Sequence, residues 1–196
     1  MKLRPVSPLN SADECSLPVG EFFPVLLRLA EVYNGKIPNN FAFIDGQNIH
    51  LGIQARGWKL DWRRFRVHLQ HSYGVSRAYY FIGYMPTNEQ LYDNLRRYGY
   101  TLVFKEVVYG EKGKPKGNVD AELVLQAMKD INDYEKAVLV TSDGDFAVLV
   151  NHLKTVGKFG WVISPGHLGC SVLLKKAAGA KIAFMEDARK KIERKV

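Results

Sequence analysis

Four aspartates stand where an apolar segment meets a loop, and their spacing suits metal-ion chemistry. Asp143 and Asp145 follow the apolar run "AVLVTS" with only Gly144 between them. Asp45 closes the run "FAFID", and Asp120 opens the segment "DAELVLQAM". Like charges repel one another unless a proton or a cation compensates them, so carboxylates gathered in one place indicate a bound cation.

The segments that carry these acids alternate between short apolar runs and longer runs with helical spacing. This alternation predicts an α/β fold with a mostly parallel central sheet and helices on both faces. Asp61 is predicted to cap the second helix, and Thr87 with Gln90 has capping-box spacing before the third. The predicted strands are 41–45, 75–84, 100–109, 136–142, 160–164 and 180–185, and the predicted helices are 48–57, 62–74, 89–99, 118–131, 146–157, 169–179 and a charged tail over 187–196.

The expected strand order, about 3-2-1-4-5, brings the four aspartates to one edge of the sheet. In this doubly wound order the first and fourth strands are neighbours, and ligands bind at the carboxyl ends of the strands. Asp45 ends the first strand, and Asp143 and Asp145 follow the fourth. Asp120 joins them because a right-handed crossover places helix starts on the edge where strands end. Oxygen-only ligands favour Mg²⁺ or Mn²⁺, and a pair of such ions can promote hydrolysis of a phosphodiester.

Each polar residue of this group also has a purely structural explanation. Asp143 or Asp145 suits the N-cap of the helix that follows, and Asp120 suits the first turn of its own helix. Asp45 precedes a glycine, as turn residues often do, and Asn48 is a common N-cap type. The coincidence of all five at one sheet edge favours a functional site over five separate structural roles.

The composition is that of one globular domain with an extension. The chain has 196 residues, of which 46% are apolar. We expect residues 1–40 to form an N-terminal extension with a short helix that packs on the domain or on a second copy in a homodimer, and residues 41–196 to form the domain. The sequence has no membrane-helix run and no signal-peptide core, and Cys15 and Cys170 fit no disulfide or zinc pattern. These features predict a cytoplasmic protein with no membrane contact.

Three segments resemble the signature motifs of NYN domains. They are "FIDGQNIH" (43–50), "KGNVDAELVLQAM" (116–128) and "TSDGDFAVLV" (141–150). NYN domains belong to the PIN-like nuclease superfamily, and the similarity is to the bacterial LabA-like branch over roughly residues 40–186. The resemblance implies a PIN-like fold and Mg²⁺- or Mn²⁺-dependent ribonuclease activity on RNA.

The resemblance also implies roles for individual residues. Metal binding and catalysis fall on Asp45, Asp120, Asp143 and Asp145, and Asn48 is implied as a polar companion that contacts the substrate. We expect the acids to hold the cation directly or through water, and their separate roles stay open.

The chain departs from the family pattern in three places. "TSDGDF" stands where relatives carry "SGDSDF", with both acids kept. Gln126 stands near the place of a further acid in many relatives, and Gly179 near the place of another. Ser171 is expected to cap a helix near the site. These changes leave the four acids intact but weaken the case for a second metal ion.

Several other residues are candidates for RNA contact. The chain carries 28 Lys and Arg against 20 Asp and Glu, which favours a polyanionic partner, although simple solubility explains the charge equally well. We expect Lys112, Lys114 and Lys116, ahead of Asp120, to contact phosphates. A solvated loop explains Lys112 and Lys114 equally well, whereas Lys116 matches the family's "KG". Tyr84 could stack a base or pack at the rim, and His50 could shuttle protons or simply face solvent.

The alternative function is a PIN-like module that binds RNA or protein without cutting. The missing outer acids favour this alternative, and the four intact acids oppose it. A phosphatase of the haloacid-dehalogenase type would need its D-x-D motif after the first strand, where this chain reads "DGQN". A sugar-nucleotide transferase would rest on D-x-D alone.

Overall fold

A parallel six-stranded sheet forms the centre of the domain. The computed structural model describes residues 38–105 and 119–195 and, between them, the backbone of two short strands. In chain order the strands are β1 (Asn40–Asp45), β2 (Val75–Gly83), β3 (Tyr100–Lys105), β4 (Val108–Tyr109), β5 (Pro115–Lys116), β6 (Ala137–Val140), β7 (Phe159–Ser164) and β8 (Ile182–Phe184). The sheet has the order β3-β2-β1-β6-β7-β8, and all its neighbouring strands are parallel. β4 and β5 form a separate antiparallel hairpin.

Helices cover both faces of this sheet. They are α1 (Gly46–Gln54), α2 (Trp62–Tyr73), α3 (Glu89–Arg97), α4 (Asp120–Lys129), α5 (Ala147–Thr155), α6 (Val172–Ala178) and α7 (Arg189–Ile192). One buried cluster joins Phe43 of β1 to α5 and α6 through Leu149 and Leu174. The other joins Ile44 of β1 to α2 through Phe65. Consecutive residues of β1 thus enter opposite clusters, which explains why this strand is apolar over most of its length.

The predicted strand order is confirmed. The first five predicted strands correspond to β1, β2, β3, β6 and β7, and β8 extends the sheet beyond β7. β1 and β6 are neighbours, with Ile44 opposite Val140. The third predicted strand is too long, because β3 ends at Lys105 and Val108–Tyr109 pairs in the separate hairpin.

The predicted capping box of Thr87 and Gln90 is wrong. A 3-10 turn over Pro86–Asn88 precedes α3, and Asn88 is the N-cap of that helix with no side-chain bond. Proline at the first helical position starts the turn early because its φ is already fixed near the helical value. Thr87 is therefore inside the turn and does not stand at the start of the helix.

Two other boundaries differ from the prediction. α1 begins two residues early because Asp45 caps it, accepting a hydrogen bond from the Asn48 backbone N–H at 3.1 Å. The predicted tail helix over 187–196 shrinks to the single short helix α7. Glu193 leaves it in an extended conformation and forms a β-bridge with Leu60.

Some predictions lie outside the described residues. Residues 1–37, Lys112 and Lys114 are among them, and of Lys116 only the backbone is described. The N-terminal extension and its helix therefore stay predictions, as do the lysine contacts. Across residues 38–105 and 119–195, no helix combines the length and the apolar character that crossing a membrane requires.

Candidate metal centre

The carboxyl edge of β1 and β6 carries most of the candidate site. Asp45 is the last residue of β1, and Thr141, Ser142 and Asp143 directly follow β6. Because β1 and β6 are adjacent and parallel, these residues leave the sheet side by side. α4 begins at Asp120 on the same edge, as a right-handed crossover requires.

Three of the four predicted acids come together. Asp120, Asp143 and Asp145 each offer a carboxylate oxygen, and these oxygens all lie within 4.8 Å of one another. Two ligands on opposite sides of an octahedral Mg²⁺ are about 4.2 Å apart, since each lies about 2.1 Å from the ion. Neighbouring ligands of an octahedral ion are only about 3 Å apart, so the three side chains would have to draw closer together to bind one Mg²⁺ or Mn²⁺, both of which favour carboxylate oxygens. We call these three residues the outer acids.

Asp45, the inner acid, lies beside this set without belonging to it. It is only 6% exposed, and its two carboxylate oxygens accept hydrogen bonds from the Asn48 backbone N–H and from Thr141 Oγ1. The pKa of Asp45 is raised to about 6, chiefly by burial and also by the charges of Asp120 and Asp143, and the two hydrogen bonds only partly oppose this rise. The negative charges of two outer acids thus disfavour ionisation of the inner acid.

Thr141 connects the inner acid to the outer ones. Its Oγ1 donates to Asp45 Oδ2 at 3.4 Å and accepts from the Asp143 backbone N–H at 3.2 Å. Asp143 Oδ1 in turn accepts from the Asp145 backbone N–H at 3.0 Å, which caps the short turn that follows. The buried hydroxyl thus fixes the relative positions of the acids at the ends of β1 and β6.

The capping bonds of Asp45 and Asp143 do not use up their carboxylate oxygens. Asp45 caps α1 and Asp143 caps the turn after β6, and each bond occupies one carboxylate oxygen. A carboxylate has about four lone-pair positions, so a capping bond still leaves oxygen available for a cation. The two explanations offered by the sequence therefore describe one arrangement.

Asn48 holds the loop after β6 in place. Its side-chain oxygen accepts from both the backbone N–H and the hydroxyl of Ser142, at 2.9 and 2.8 Å. Its own backbone N–H donates to Asp45. Asn48 is thus a companion of Asp45, as predicted, but its side-chain oxygen binds protein, and its predicted contact with substrate stays a prediction.

Two glycines allow the close approaches that the site needs. A Cβ on Gly46 would lie 2.6 Å from the ring of Tyr80, and one on Gly144 would overlap the side chain of Ser171. The Ser171 backbone N–H also donates to the carbonyl of Ser142 at 3.0 Å, which docks the start of α6 against the aspartate turn. Ser171 is the N-cap of α6 as expected, although its side chain makes no capping bond.

The remaining candidates lie apart from the acids or serve other contacts. Tyr84 donates to Glu89 at 2.7 Å and packs near other aromatic rings, which supports rim packing. His50 is exposed on α1. Gln126 donates to Asp130 near the far end of α4, so its side chain turns away from the acids.

A charged pair flanks the site on the other side. Lys105, the last residue of β3, forms an ion pair with Glu122 at 3.1 Å. Glu122 is in the first turn of α4, two residues after Asp120. The pair therefore ties β3 to the start of α4, the helix that carries Asp120. Lys105 also partly neutralises the negative charge of Glu122.

The sequence interpretation missed the residues that position the acids. Thr141, Ser142 and Gly144 carry out this role, and Ser171 was noticed only as a helix cap. The available signal was the tetrapeptide "TSDG", in which two hydroxyl residues directly precede the aspartate turn. Hydroxyl groups between a buried strand and an acid often bond that acid's neighbours.

Comparison with known proteins agrees with this geometry. The family model of the NYN domain matches residues 41–181. The Low amplitude and bright protein LabA of Synechococcus elongatus is 28% identical over 122 residues, which cover 57% of this chain and 66% of that protein. The chain thus spans slightly less than two thirds of that relative's length.

A solved structure supports the fold independently. A protein of unknown function from Vibrio parahaemolyticus superposes with a TM-score of 0.68 at 21% identity, covering 82% of this chain and 99% of its own. This likeness shows a shared α/β fold of the PIN-like type. Since the family model spans most of the chain, the protein belongs to the NYN domain family, part of the PIN-like nuclease superfamily.

Proposed function

We propose that the protein is a metal-dependent ribonuclease that hydrolyses phosphodiester bonds in RNA. The observation that carries the proposal is the set of three carboxylate oxygens within 4.8 Å of one another at the carboxyl edge of the sheet. Membership of a nuclease superfamily supports it. Mg²⁺ or Mn²⁺ is the proposed cofactor, because the donor set consists of carboxylate oxygens.

The chain's own residues divide the work by their burial. A divalent cation at the outer acids would supply Lewis-acid assistance for attack of water on the phosphodiester. Asp143 and Asp120 hold the cation from the turn after β6 and from the start of α4. Asp145, which is exposed, would complete the ligand set from the solvent side. Asp45 would support these acids from its buried position at the end of β1. The hydroxyl of Thr141, which bonds both Asp45 and the Asp143 backbone, would fix their relative positions.

The proposed RNA contacts follow from the chain around Asp120. Lys116 lies four residues ahead of this acid, and the backbone of Pro115–Lys116 forms β5 of the hairpin. Lysines so close to a metal-binding acid are suited to hold the phosphates on either side of the bond to be cut. Lys112 and Lys114 are proposed to extend this contact along the strand.

One observation favours the non-catalytic alternative. Gln126 stands where many relatives have a further acid, and its amide is bonded to Asp130 away from the site. Within the described part of α4, Glu122 is the additional acid nearest to Asp120 in sequence, and it is paired with Lys105. A module that binds RNA without cutting it would show metal-independent affinity and no products.

The test is incubation of the purified full chain with labelled RNA and DNA, each single- and double-stranded. Each substrate is offered with Mg²⁺, with Mn²⁺ or with a chelator. We expect RNA to be cut only when metal is present. The Asp45→Asn, Asp143→Asn double variant should be silent, because it lacks both the inner acid and a central outer acid.

The matched control is Asp93→Asn, which removes an exposed aspartate on α3 that pairs with Arg96. It should cut RNA as the unmodified chain does. Circular dichroism and thermal melting establish that each variant is folded. Equal cutting by the folded double variant would refute the proposal, and RNA binding without cutting would favour the alternative.

A further inference from the structure

A groove opens next to the outer acids, between α5 and α6. It has a volume of about 710 Å³, and Asp145 is one of the residues that line it. Val148 and Asn151 line it from α5, and Leu173 and Lys176 line it from α6. Its volume falls in the range of about 300 to 1,000 Å³ that is typical of sites for small organic groups.

The walls of the groove expose large apolar side chains to solvent. Val148 is 77% exposed and Leu173 is 63% exposed. Single exposed apolar residues are common on protein surfaces, but here two of them face one concave space beside a candidate catalytic centre. Apolar walls of this kind suit the flat face of a nucleobase.

The polar residues of the groove suit the rest of a nucleotide. The Asn151 amide has both a donor and an acceptor, as the edge of a base requires. Lys176 is exposed and makes no ion pair with any residue that the structure describes, so its ammonium is available for a phosphate. The base and the phosphate of a nucleotide thus each have a matching group within one groove.

We propose that this groove is a nucleotide subsite that holds one unpaired base of the RNA strand next to the bond that is cut. The inference rests on the proposed ribonuclease function and adds the part of the substrate that fixes its position. Asp145 belongs to both the outer acids and the groove lining, so a base held in the groove would lie next to the acids. The base must be unpaired, since a base in a duplex cannot turn its face to Val148 and Leu173.

A second copy of the chain is the competing occupant. A stable protein interface buries about 800 Å² on each partner, and it is most apolar at its centre. This groove instead combines apolar walls with Lys176 and with an outer acid, which a partner would bury without a matching charge. The mixture of groups favours an RNA strand over a protein surface.

The test measures RNA binding and cutting by two groove variants, Leu173→Ser and Lys176→Gln. Their matched controls are Leu125→Ser, at an apolar residue on α4 that is 59% exposed, and Lys181→Gln, just before β8 on the opposite edge of the sheet. Binding of a labelled single-stranded RNA is followed by fluorescence anisotropy in the Asp143→Asn background, which leaves the RNA intact. Cutting with Mn²⁺ is followed in the chain with Asp143.

We expect Leu173→Ser to weaken RNA binding about 10-fold, because the variant loses most of the apolar area that a base would cover at this position. Lys176→Gln should weaken binding and reduce its dependence on salt, and both controls should match the chain without them. The decisive arm uses an RNA with one abasic ribose beside the cleavage point. This RNA should bind more weakly, and Leu173→Ser should then cause no further loss.

Three results would overturn the inference. If the groove variants bind and cut RNA like their controls while the unmodified chain is an active ribonuclease, the subsite is wrong and the proposed function stands. If Leu173→Ser changes only the molecular mass in solution, the groove is an interface between copies. If the unmodified chain neither binds nor cuts RNA, the subsite and the proposed function fail together.

Discussion

The inner acid and the outer acids reach the same edge of the sheet in opposite environments. Asp45 is 6% exposed and accepts two hydrogen bonds, whereas Asp145 is exposed and lines a groove. Burial raises the pKa of Asp45 to about 6, because the ionised form loses contact with water. The fold therefore fixes the inner acid at an energetic cost, while the outer acids remain accessible to cation and substrate.

A buried acid beside more exposed ones is the arrangement expected of a proposed cation site before the cation binds. The charges of Asp120 and Asp143 raise the pKa of Asp45, so the inner acid and the outer acids are electrostatically coupled. A cation at the outer acids would favour the ionised form of the inner acid in return. The proposed site should thus be strained when empty and relaxed when filled, and the predictions below test this difference.

The largest expected effect is on cutting by Asp143→Asn. This change removes a central outer acid but keeps an oxygen that can cap the turn. We expect cleavage to fall by about 1,000-fold, more than the roughly 10- to 100-fold cost of losing a supporting group around a metal. Initial rates with Mn²⁺ measure the loss, and the melting temperature without metal should barely change. A rate within a factor of three of the unmodified chain would contradict the assignment.

The next largest effect is a gain in stability on replacing the inner acid. Asp45→Asn should raise the free energy of unfolding at neutral pH without metal, because the amide carries no charge to bury. The shift of the pKa from 3.8 to about 6 corresponds to an upper limit of about 3 kcal/mol, at about 1.4 kcal/mol per unit. Urea unfolding measures the gain, with Asp93→Asn as the exposed control. A loss of stability in the metal-free variant would show that the ionised carboxylate is well compensated.

The raised pKa of Asp45 should also make the free energy of unfolding depend on pH. Between pH 3.8 and about 6 the folded chain keeps a proton on Asp45 that the unfolded chain has released. The folded state then binds more protons, so the contribution of Asp45 to stability is lost as pH rises through this window. The difference in unfolding free energy between Asp45→Asn and the unmodified chain should therefore grow from pH 4 to pH 6. A constant difference would mean that the pKa of Asp45 is not raised.

A somewhat smaller effect is expected from adding the cation. At 100 times its dissociation constant, Mn²⁺ should stabilise the folded chain by about 2.7 kcal/mol, since it binds only the folded state. Thermal melting with and without Mn²⁺ measures the shift. Asp143→Asn should lose most of it and Asp93→Asn none. The same shift in all three chains would place the bound ion elsewhere.

The smallest effect is expected from removing the Thr141 hydroxyl, which links the inner acid to Asp143. Thr141→Val keeps the shape of the side chain but removes the hydroxyl between Asp45 and Asp143. We expect a loss of about 1 to 2 kcal/mol in unfolding free energy and about a 10-fold loss in cutting. Thr141→Ser keeps the hydroxyl and should restore cutting. If serine and valine behave alike, the hydroxyl does not position the acids.

The order of apolar and helical segments along the chain is enough to predict the frame of this protein and the edge at which its acids meet. Apolar runs that alternate with helical segments predicted the strand order, because strands buried on both faces must be apolar and parallel strands need crossover helices. That order places Asp45 and Asp143 side by side. Local signals were less reliable, since Pro86, directly before Thr87, starts a 3-10 turn that overrides the capping-box spacing of Thr87 and Gln90.

The differences in burial and contacts among the four acids depend on how the chain packs in three dimensions. Burial separated Asp45 from the outer acids, and burial depends on helices that pack from distant parts of the chain. The bridge through Thr141, the contact of Ser171 with Gly144 and the groove beside Asp145 join segments that are far apart in the sequence or lie on different elements. Side-chain direction and local dielectric environment follow from that packing, and no spacing of residue types encodes them.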